Sequence, residues 1–455
     1  MGVQPDHAEQ GDAVRRHRPD FHRTDAEPAS STDTGASAAD QPRVAAATSD
    51  LSAARHRPSS RRRGPRRLAA AAVTLGAASL LAGCAPPSGP TGTTSAPSTT
   101  APTTTTPGTP GGTISGVRVA QTVTGFQRPW EIAFLPDGTP IVTERGGRIA
   151  VAVGGTRRVV ATISDVVASG EGGLLGLAVD PDFTTNRRIF ACYDHGSAAT
   201  VTDVRIVRFR VAEDLASMTD QTPILTGIDA GTGGRHQGCR LRFGPDRMLW
   251  ATTGDAAQPT FPQDVTTMAA KVLRMTADGA PAPGNPGDPW NPYVYSVGHR
   301  NGQGLAFRAD GAPFEVEHGT GCDDEVNRIV AGGNYGWNPV GSGYDESRPM
   351  TDLSISGARP AVWSSGCPTI APSGATFVTG AQWGQWNGAL AIAVLKGTRL
   401  MFVRFTSPSS DAVTGIDIRL TDQGRLRAVA QAPDGSLWVA QDASPGSLLR
   451  LLPAP

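Results

Sequence analysis

Trp130-Glu131-Ile132-Ala133-Phe134-Leu135 runs into Pro136-Asp137-Gly138 and leaves through Thr139 to Glu144. An apolar stretch, a Pro that presets φ, an Asp that caps the turn, a Gly that supplies positive φ and a second apolar stretch spell strand, tight turn, strand. The pattern recurs. Leu174 to Val179 leads through Pro181-Asp182 to Arg188–Tyr193, and Arg240 to Phe243 through Pro245-Asp246 to Met248–Thr253. Gly304 to Phe307 leads through Asp310-Gly311 to Pro313–Glu317, and Leu426 to Val429 through Pro433-Asp434-Gly435 to Ser436–Ala440.

The turn aspartates stand at 137, 182, 246, 310 and 434, at intervals of 45, 64, 64 and 124. The last interval is close to two periods, so one unit lacks the Asp signature, and Ala375–Val378 followed by Leu390–Leu395 fills its place. Six hairpin units at this period predict an all-β fold over residues 114–455, a six-bladed β-propeller with four-stranded blades. A pair of β-sandwiches is the competing architecture, and the regular spacing speaks against it. A propeller keeps its function in the loops around one mouth of the central channel.

Composition supports many turns over long helices: 55 Gly and 37 Pro in 455 residues, with 18% charged. Acidic and basic residues balance at 41 each, which argues against a nucleic-acid partner. Only two lysines occur, Lys271 and Lys396, among a large excess of Arg. Five cysteines (84, 192, 239, 322 and 367) form no C-x-x-C pair, so a zinc ribbon or thioredoxin-like motif is not expected.

The odd cysteine belongs to the N-terminal region. Residues 51–83 carry no acidic residue; a cluster of seven Arg between 55 and 67 precedes the apolar run Leu68–Ala82. That run is short for a bilayer span and suits a signal-peptide core. It ends Leu81-Ala82-Gly83-Cys84, which resembles a bacterial lipobox with Cys84 as the lipidated residue. Residues 1–84 are thus expected to be an extension plus lipoprotein signal, with the protein exported and anchored on the outer face of the cell membrane. Residues 85–113, rich in Pro, Thr, Ser and Gly, read as a disordered linker.

Four segments stand out at strand edges and in loops: Gly170-Glu171-Gly172-Gly173-Leu174-Leu175-Gly176, His236-Gln237-Gly238-Cys239-Arg240-Leu241, Gly298-His299-Arg300-Asn301-Gly302-Gln303-Gly304 and Glu317-His318-Gly319-Thr320 running on to Asp323-Asp324-Glu325. With Thr252–Asp255, Lys271–Arg274, Asn334–Trp337 and Pro368–Gly374, they resemble the soluble pyrroloquinoline quinone (PQQ)-dependent glucose, aldose and sorbosone dehydrogenase family, in order, over about residues 120–452.

The resemblance implies an oxidoreductase that converts an aldose to its lactone using PQQ and Ca2+, passing electrons to an external acceptor. His236 takes the position of the family's catalytic base, a group whose ordinary pKa suits proton abstraction near neutrality. Arg300 and Asn301 take the positions that face the quinone oxygens, where negative charge grows. Lys396 and the alternating pair Arg425 and Arg427 match residues that grip the cofactor's carboxylates. Calcium is implied on the backbone carbonyls of Gly319 and Thr320, with Thr320 beside the cofactor. Asp323, Asp324 and Glu325 are expected to fix that loop. Two departures bear on the base: Glu171 replaces a Gln of several relatives and would raise the His pKa if ionised, and Arg235 replaces an Asp of some. For an exported protein the remaining cysteines are expected to pair as Cys192 with Cys239 and Cys322 with Cys367. A calcium-dependent lactonase and a non-catalytic, cell-surface sugar- or protein-binding propeller are the other readings.

Overall fold

A computed structural model describes residues 114–455; Cys84, the signal-like run and the linker 85–113 lie outside them. Six sheets make six blades. The inner strands, in chain order, are Pro129–Phe134, Leu174–Val179, Gly238–Phe243, Gly302–Phe307, Pro372–Phe377 and Leu426–Gln431. Each packs against the inner strands of the blades before and after it, and the last packs on the first, so the ring is closed. The fold is the six-bladed propeller that the turn spacing predicts.

Closure is achieved by mixing the two ends of the described chain in one sheet. The strand Gly116–Phe126 is the outer strand of blade 6 and pairs antiparallel with Gly446–Ala454, Val119 opposite Leu451 and Val123 opposite Leu448. The first blade then begins at Pro129, so blade 6 cannot open without breaking main-chain hydrogen bonds.

Both faces of each blade are covered by neighbours, which is why the inner strands read as continuous apolar runs rather than alternating ones. Six apolar clusters correspond to the six blade interfaces. Leu177, Ile189 and Val207 of blade 2 face Ile141, Ile149 and Val151 of blade 1. Leu175 and Phe190 of blade 2 face Leu241, Leu249 and Leu273 of blade 3. The cluster between blades 3 and 4 is the smallest, with Trp250, Val272, Leu305, Ile329 and Tyr335 as its buried members.

Two details differ from six equal four-stranded units. Blade 3 gains a fifth strand of two residues, Gly333–Asn334, parallel to Val294–Val297. Blade 4 has an outer strand of only two residues, Trp363–Ser364. Both follow from one excursion: the chain leaves blade 4 after Glu325–Arg328, crosses the edge of blade 3, and returns only at Trp363.

Candidate active site

In five blades an Asp-bearing turn joins the inner strand to the second strand, so these turns mark one end of the propeller. Antiparallel pairing then puts the start of every inner strand and the finish of every second strand at the other end. The loop residues gather there. Glu171 and His236 precede the inner strands of blades 2 and 3, Arg300 and Asn301 that of blade 4, and Arg425 that of blade 6. Asp255, His318 and Lys396 follow the second strands of blades 3, 4 and 5.

The channel is closed below these loops. Arg240, fully buried, reaches from blade 3 to Glu131 Oε2 of blade 1 at 2.5 Å, to the Gln303 carbonyl of blade 4 at 2.8 Å and towards Ser373 Oγ of blade 5 at 3.4 Å. Its guanidinium lies 3.9 Å from the centre of the Trp130 ring. Burial lowers its pKa to about 10, so it remains a cation at neutral pH.

His236, in the loop before the inner strand of blade 3, is 4% exposed, with a left-handed backbone (φ 54°). A non-glycine residue in that region is held by its surroundings. Gly254 lies against it, and a Cβ there would overlap the His236 carbonyl oxygen. The imidazole Nδ1 is 2.8 Å from Asp255 Oδ1. Trp337 Nε1 and Tyr344 Oη donate to Asp255 Oδ2 at 2.8 and 2.5 Å, and the Ala257 amide donates to Oδ1. With donors on both oxygens, Asp255 accepts throughout, so Nδ1 carries the imidazole proton and Nε2 is left as the basic nitrogen. Burial, reinforced by Asp255, raises the Tyr344 pKa, so the phenol stays a donor. Buried Lys271 braces the loop that carries Asp255, donating to the carbonyls of Phe261 and Ala269 at 2.6 Å each, and burial brings its pKa down to about 7.

Asn301 couples the blades around His236. Its Oδ1 accepts from the Gly238 amide and from Gln303 Nε2, and its Nδ2 donates to Glu171 Oε2 at 3.0 Å. Burial works against the Glu171 charge, but His236, His318, the Asn301 hydrogen bond and Arg427 together hold its pKa below the ordinary value. Arg300 is 5% exposed; it donates to the His318 carbonyl at 3.1 Å and to Glu346 Oε1 at 2.9 Å.

The three other expected cations line the same mouth. Lys396 is exposed and donates to Thr369 Oγ1. Arg425 and Arg427 both reach Asp442, at 3.3 and 3.5 Å, and so point to one side. Arg427 also donates to Gln303 Oε1. The Nε atoms of Arg300 and Arg427 are buried without a hydrogen-bond partner. Such donors fit an anion with several carboxylates.

Gly319 and Thr320 lie in the loop after blade 4's second strand, and neither carbonyl accepts a hydrogen bond from the described residues. Free main-chain oxygens suit a hard cation. Asp324 shapes this loop: Oδ1 accepts from the Gly319 amide, and Oδ2 from the amides of Ile370 and Ala371. The Cys322–Cys367 disulfide, with Cα atoms 4.4 Å apart, joins the same two loops, and Cys192–Cys239 joins blades 2 and 3.

Behind Arg300, in the sparse interface of blades 3 and 4, lies a buried polar group whose assembly the sequence does not announce, although His299 and Glu317 stand in quoted segments. His299 Nδ1 is 2.9 Å from Glu315 Oε2 and 3.4 Å from Glu317 Oε1, and Ser296 Oγ lies 2.8 Å from Nε2. Glu317 Oε2 accepts from the Arg300 amide, which fixes the backbone beneath the guanidinium. Glu315 and Glu325 are pushed up, to about 7 and about 8, chiefly by burial.

His236, Glu171, Arg300, Asn301, Arg427 and the Gly319 loop are therefore linked through a few hydrogen bonds, while Lys396 and Arg425 stand at the rim. Tyr344 and Glu346 carry no sequence signal of a role, and Arg240 stands in the quoted His236–Leu241 segment with no part assigned to it. Asp255 lies in a segment that does stand out, but its part is set by the side chains that meet it.

A family model described as Glucose / Sorbosone dehydrogenase matches residues 126–450. Aldose sugar dehydrogenase YliI of Escherichia coli is 32% identical over 346 residues, 72% of this chain and 91% of the relative. Quinoprotein glucose dehydrogenase B of Acinetobacter calcoaceticus is 31% identical over 257 residues, 50% of this chain and 53% of the relative. The PQQ-bound aldose sugar dehydrogenase of Streptomyces coelicolor has 32% identity and a TM-score of 0.64, covering 74% of this chain and 97% of that one.

Proposed function

Since the chain belongs to the glucose/sorbosone dehydrogenase family, we propose that it is a PQQ- and calcium-dependent aldose dehydrogenase, oxidising the anomeric carbon of a sugar hemiacetal to the lactone. The observation that carries this reading is the pairing of His236 Nδ1 with a saturated Asp255, which leaves Nε2 basic at the floor of a cation-lined mouth.

PQQ, when bound, supplies the two-electron acceptor for the hydride leaving C1, and Ca2+ supplies a Lewis acid beside it. The residues that would hold PQQ are Arg300, Asn301, Thr320, Lys396, Arg425 and Arg427, and Gly319 and Thr320 would hold Ca2+ through their carbonyls. His236 Nε2 takes the proton of the anomeric hydroxyl. Asp255 stabilises the imidazolium so formed, a charge present in the transition state and absent before it. Arg300 holds its charge where negative charge grows, fixed beforehand by His318 and Glu346. Glu171 supports the same step indirectly, keeping Asn301 oriented and adding a negative charge near the base.

Reconstituting the purified protein with PQQ and Ca2+, then screening aldoses with an artificial electron acceptor, tests this. His236→Ala is expected to keep the cofactor's spectral shift and lose turnover. Normal turnover in that variant would remove His236 as the base. No spectral shift or thermal stabilisation on adding PQQ to the wild type would remove the dehydrogenase reading.

We further propose that the propeller works outside the cell membrane, tethered through Cys84. The lipobox-like Leu81–Cys84 and two disulfides support this. Cys84→Ala is expected to move the protein from the membrane fraction to the medium.

A further inference from the structure

Arg235 departs from the family pattern without a role in the chemistry above. Its guanidinium lies 5.2 Å from the centre of the Tyr344 ring, and its Nη2 donates to Glu346 Oε1 at 2.6 Å. The same oxygen accepts from Arg300 Nη2 at 2.9 Å. One carboxylate oxygen therefore joins two arginines that come from different loops, one beside the base and one before blade 4's inner strand.

Glu346 sits in the excursion between blades 3 and 4, in a stretch from Gly341 to Pro349 whose side chains make few polar contacts with the body of the propeller. Ser347 and Arg348 bond to Asp345 within the stretch. Tyr344 and Glu346 reach out, to Asp255 and to the arginine pair. Both attachments end on groups in contact with His236 or with Arg300. Burial opposes the Glu346 charge, but Arg300 and Arg235 outweigh it and hold its pKa below the ordinary value, so it is an anion at working pH.

We propose that Glu346 is a positioning residue: with Arg235 it clamps the Gly341–Pro349 stretch over the base and sets the guanidinium of Arg300 for the sugar oxidation. The proposal rests on the dehydrogenase reading for its catalytic consequence and on geometry alone for the clamp. Arg300 has one terminal nitrogen on the His318 carbonyl and the other on Glu346. Without Glu346 the fork keeps one anchor and can swing, and misplacement by about 1 Å costs on the order of 100-fold in rate. The clamp needs an acceptor at this place more than a charge, because two donors converge on one oxygen. It also explains why Arg suits position 235: an Asp there would face Glu346 with like charge.

The test uses the full protein and the variants Glu346→Ala, Glu346→Gln and Arg235→Asp. In the absence of cofactor, hydrogen exchange at the amides of residues 341–348 is expected to speed up about tenfold in Glu346→Ala and Arg235→Asp, and to stay near wild type in Glu346→Gln. After reconstitution with PQQ and Ca2+, Glu346→Ala is expected to lose at least about tenfold in kcat while the half-saturating PQQ concentration moves less than about threefold. Glu346→Gln should retain most of kcat. Unchanged exchange in Glu346→Ala, or an unchanged kcat, overturns the proposal, as does a Glu346→Gln variant as impaired as Glu346→Ala. If the exchange pattern holds but the wild type never responds to PQQ, the clamp stands and the dehydrogenase reading falls.

Discussion

Arg240 of blade 3 and Glu131 of blade 1 meet across the central channel at 2.5 Å, both fully buried. They are 109 residues apart in sequence, and the contact exists because the ring closes. It forms the floor on which Asn301 and Arg427 are arranged, through Gln303, whose carbonyl accepts from Arg240 and whose side chain touches Asn301 and Arg427.

Breaking this pair from one side leaves a buried charge. Arg240→Ala removes the closest partner of Glu131 and is expected to destabilise the protein by about 3–5 kcal/mol. The double variant Arg240→Met with Glu131→Gln should lose less, because the one charge left without its partner, Arg242 at 3.0 Å from Glu131 Oε2, is partly exposed to water. Denaturant midpoints of the three proteins check this; equal losses in single and double variants would mean the pair contributes packing alone.

Asp255 fixes the tautomer of His236. In Asp255→Asn an amide replaces one accepting oxygen and faces donors, so the imidazole loses the partner that stabilises its charged form. Turnover should fall by about 10²–10⁴ with little change in cofactor binding. Parallel measurements of kcat and of PQQ half-saturation separate this from a loss of folding, and a kcat within threefold of wild type would contradict the assignment.

Alkaline pH should weaken the fold. Glu315 and Glu325 are held up to about 7 and about 8 mainly by burial. Burial opposes the charge of His299, but Glu315 and Glu317 outweigh it and raise its pKa to about 10. Carboxyls with raised folded pKa values hold protons that the unfolded chain releases near pH 4, so their contribution is lost as pH climbs through about 7 to 8. His299 acts in the same direction: its contribution is full below about 6.5 and lost as pH rises towards about 10. His318, lowered to about 4 mainly by burial, has the opposite sign, but its change is complete by about pH 6.5. Lys271, brought down to about 7 by burial, also has the opposite sign from about pH 7 upward and offsets His299 above about pH 8. Melting temperature should therefore fall from pH 6.5 to about 8, and Glu325→Gln should flatten that fall. A melting temperature flat or rising over this range would refute the linkage.

The Cys322–Cys367 disulfide holds the Gly319 loop against the loop before blade 5, spanning 45 residues. A cross-link over that span contributes about 4 kcal/mol in the chain-entropy account. Cys322→Ser with Cys367→Ser is expected to lower the denaturation midpoint and raise the calcium concentration needed for PQQ reconstitution. Unchanged calcium dependence would mean that the Asp324 hydrogen bonds alone shape the loop.

The architecture was legible because its signals are local. Pro136-Asp137-Gly138 and its counterparts set backbone angles through residues three or four apart, and their spacing reports the blade repeat. The loop motifs around His236, Arg300 and Gly319 were legible for the same reason, as short segments recognised whole. The unit without an Asp turn could be placed from its apolar runs, now the strands Pro372–Phe377 and Leu390–Val394.

What no stretch of sequence contained is the set of partners. Asp255 receives donors from Trp337 and Tyr344, 82 and 89 residues later, and Glu346 joins Arg235 to Arg300 across separations of 111 and 46 residues. His299 and Glu317 stand in quoted segments, but their grouping with Glu315 is not visible there, because strand residues show their neighbours only once blades pack. Local turn chemistry depends on adjacent residues and decides the blades. The site depends on which strand ends a closed ring brings to one mouth, and only the tertiary structure settles that.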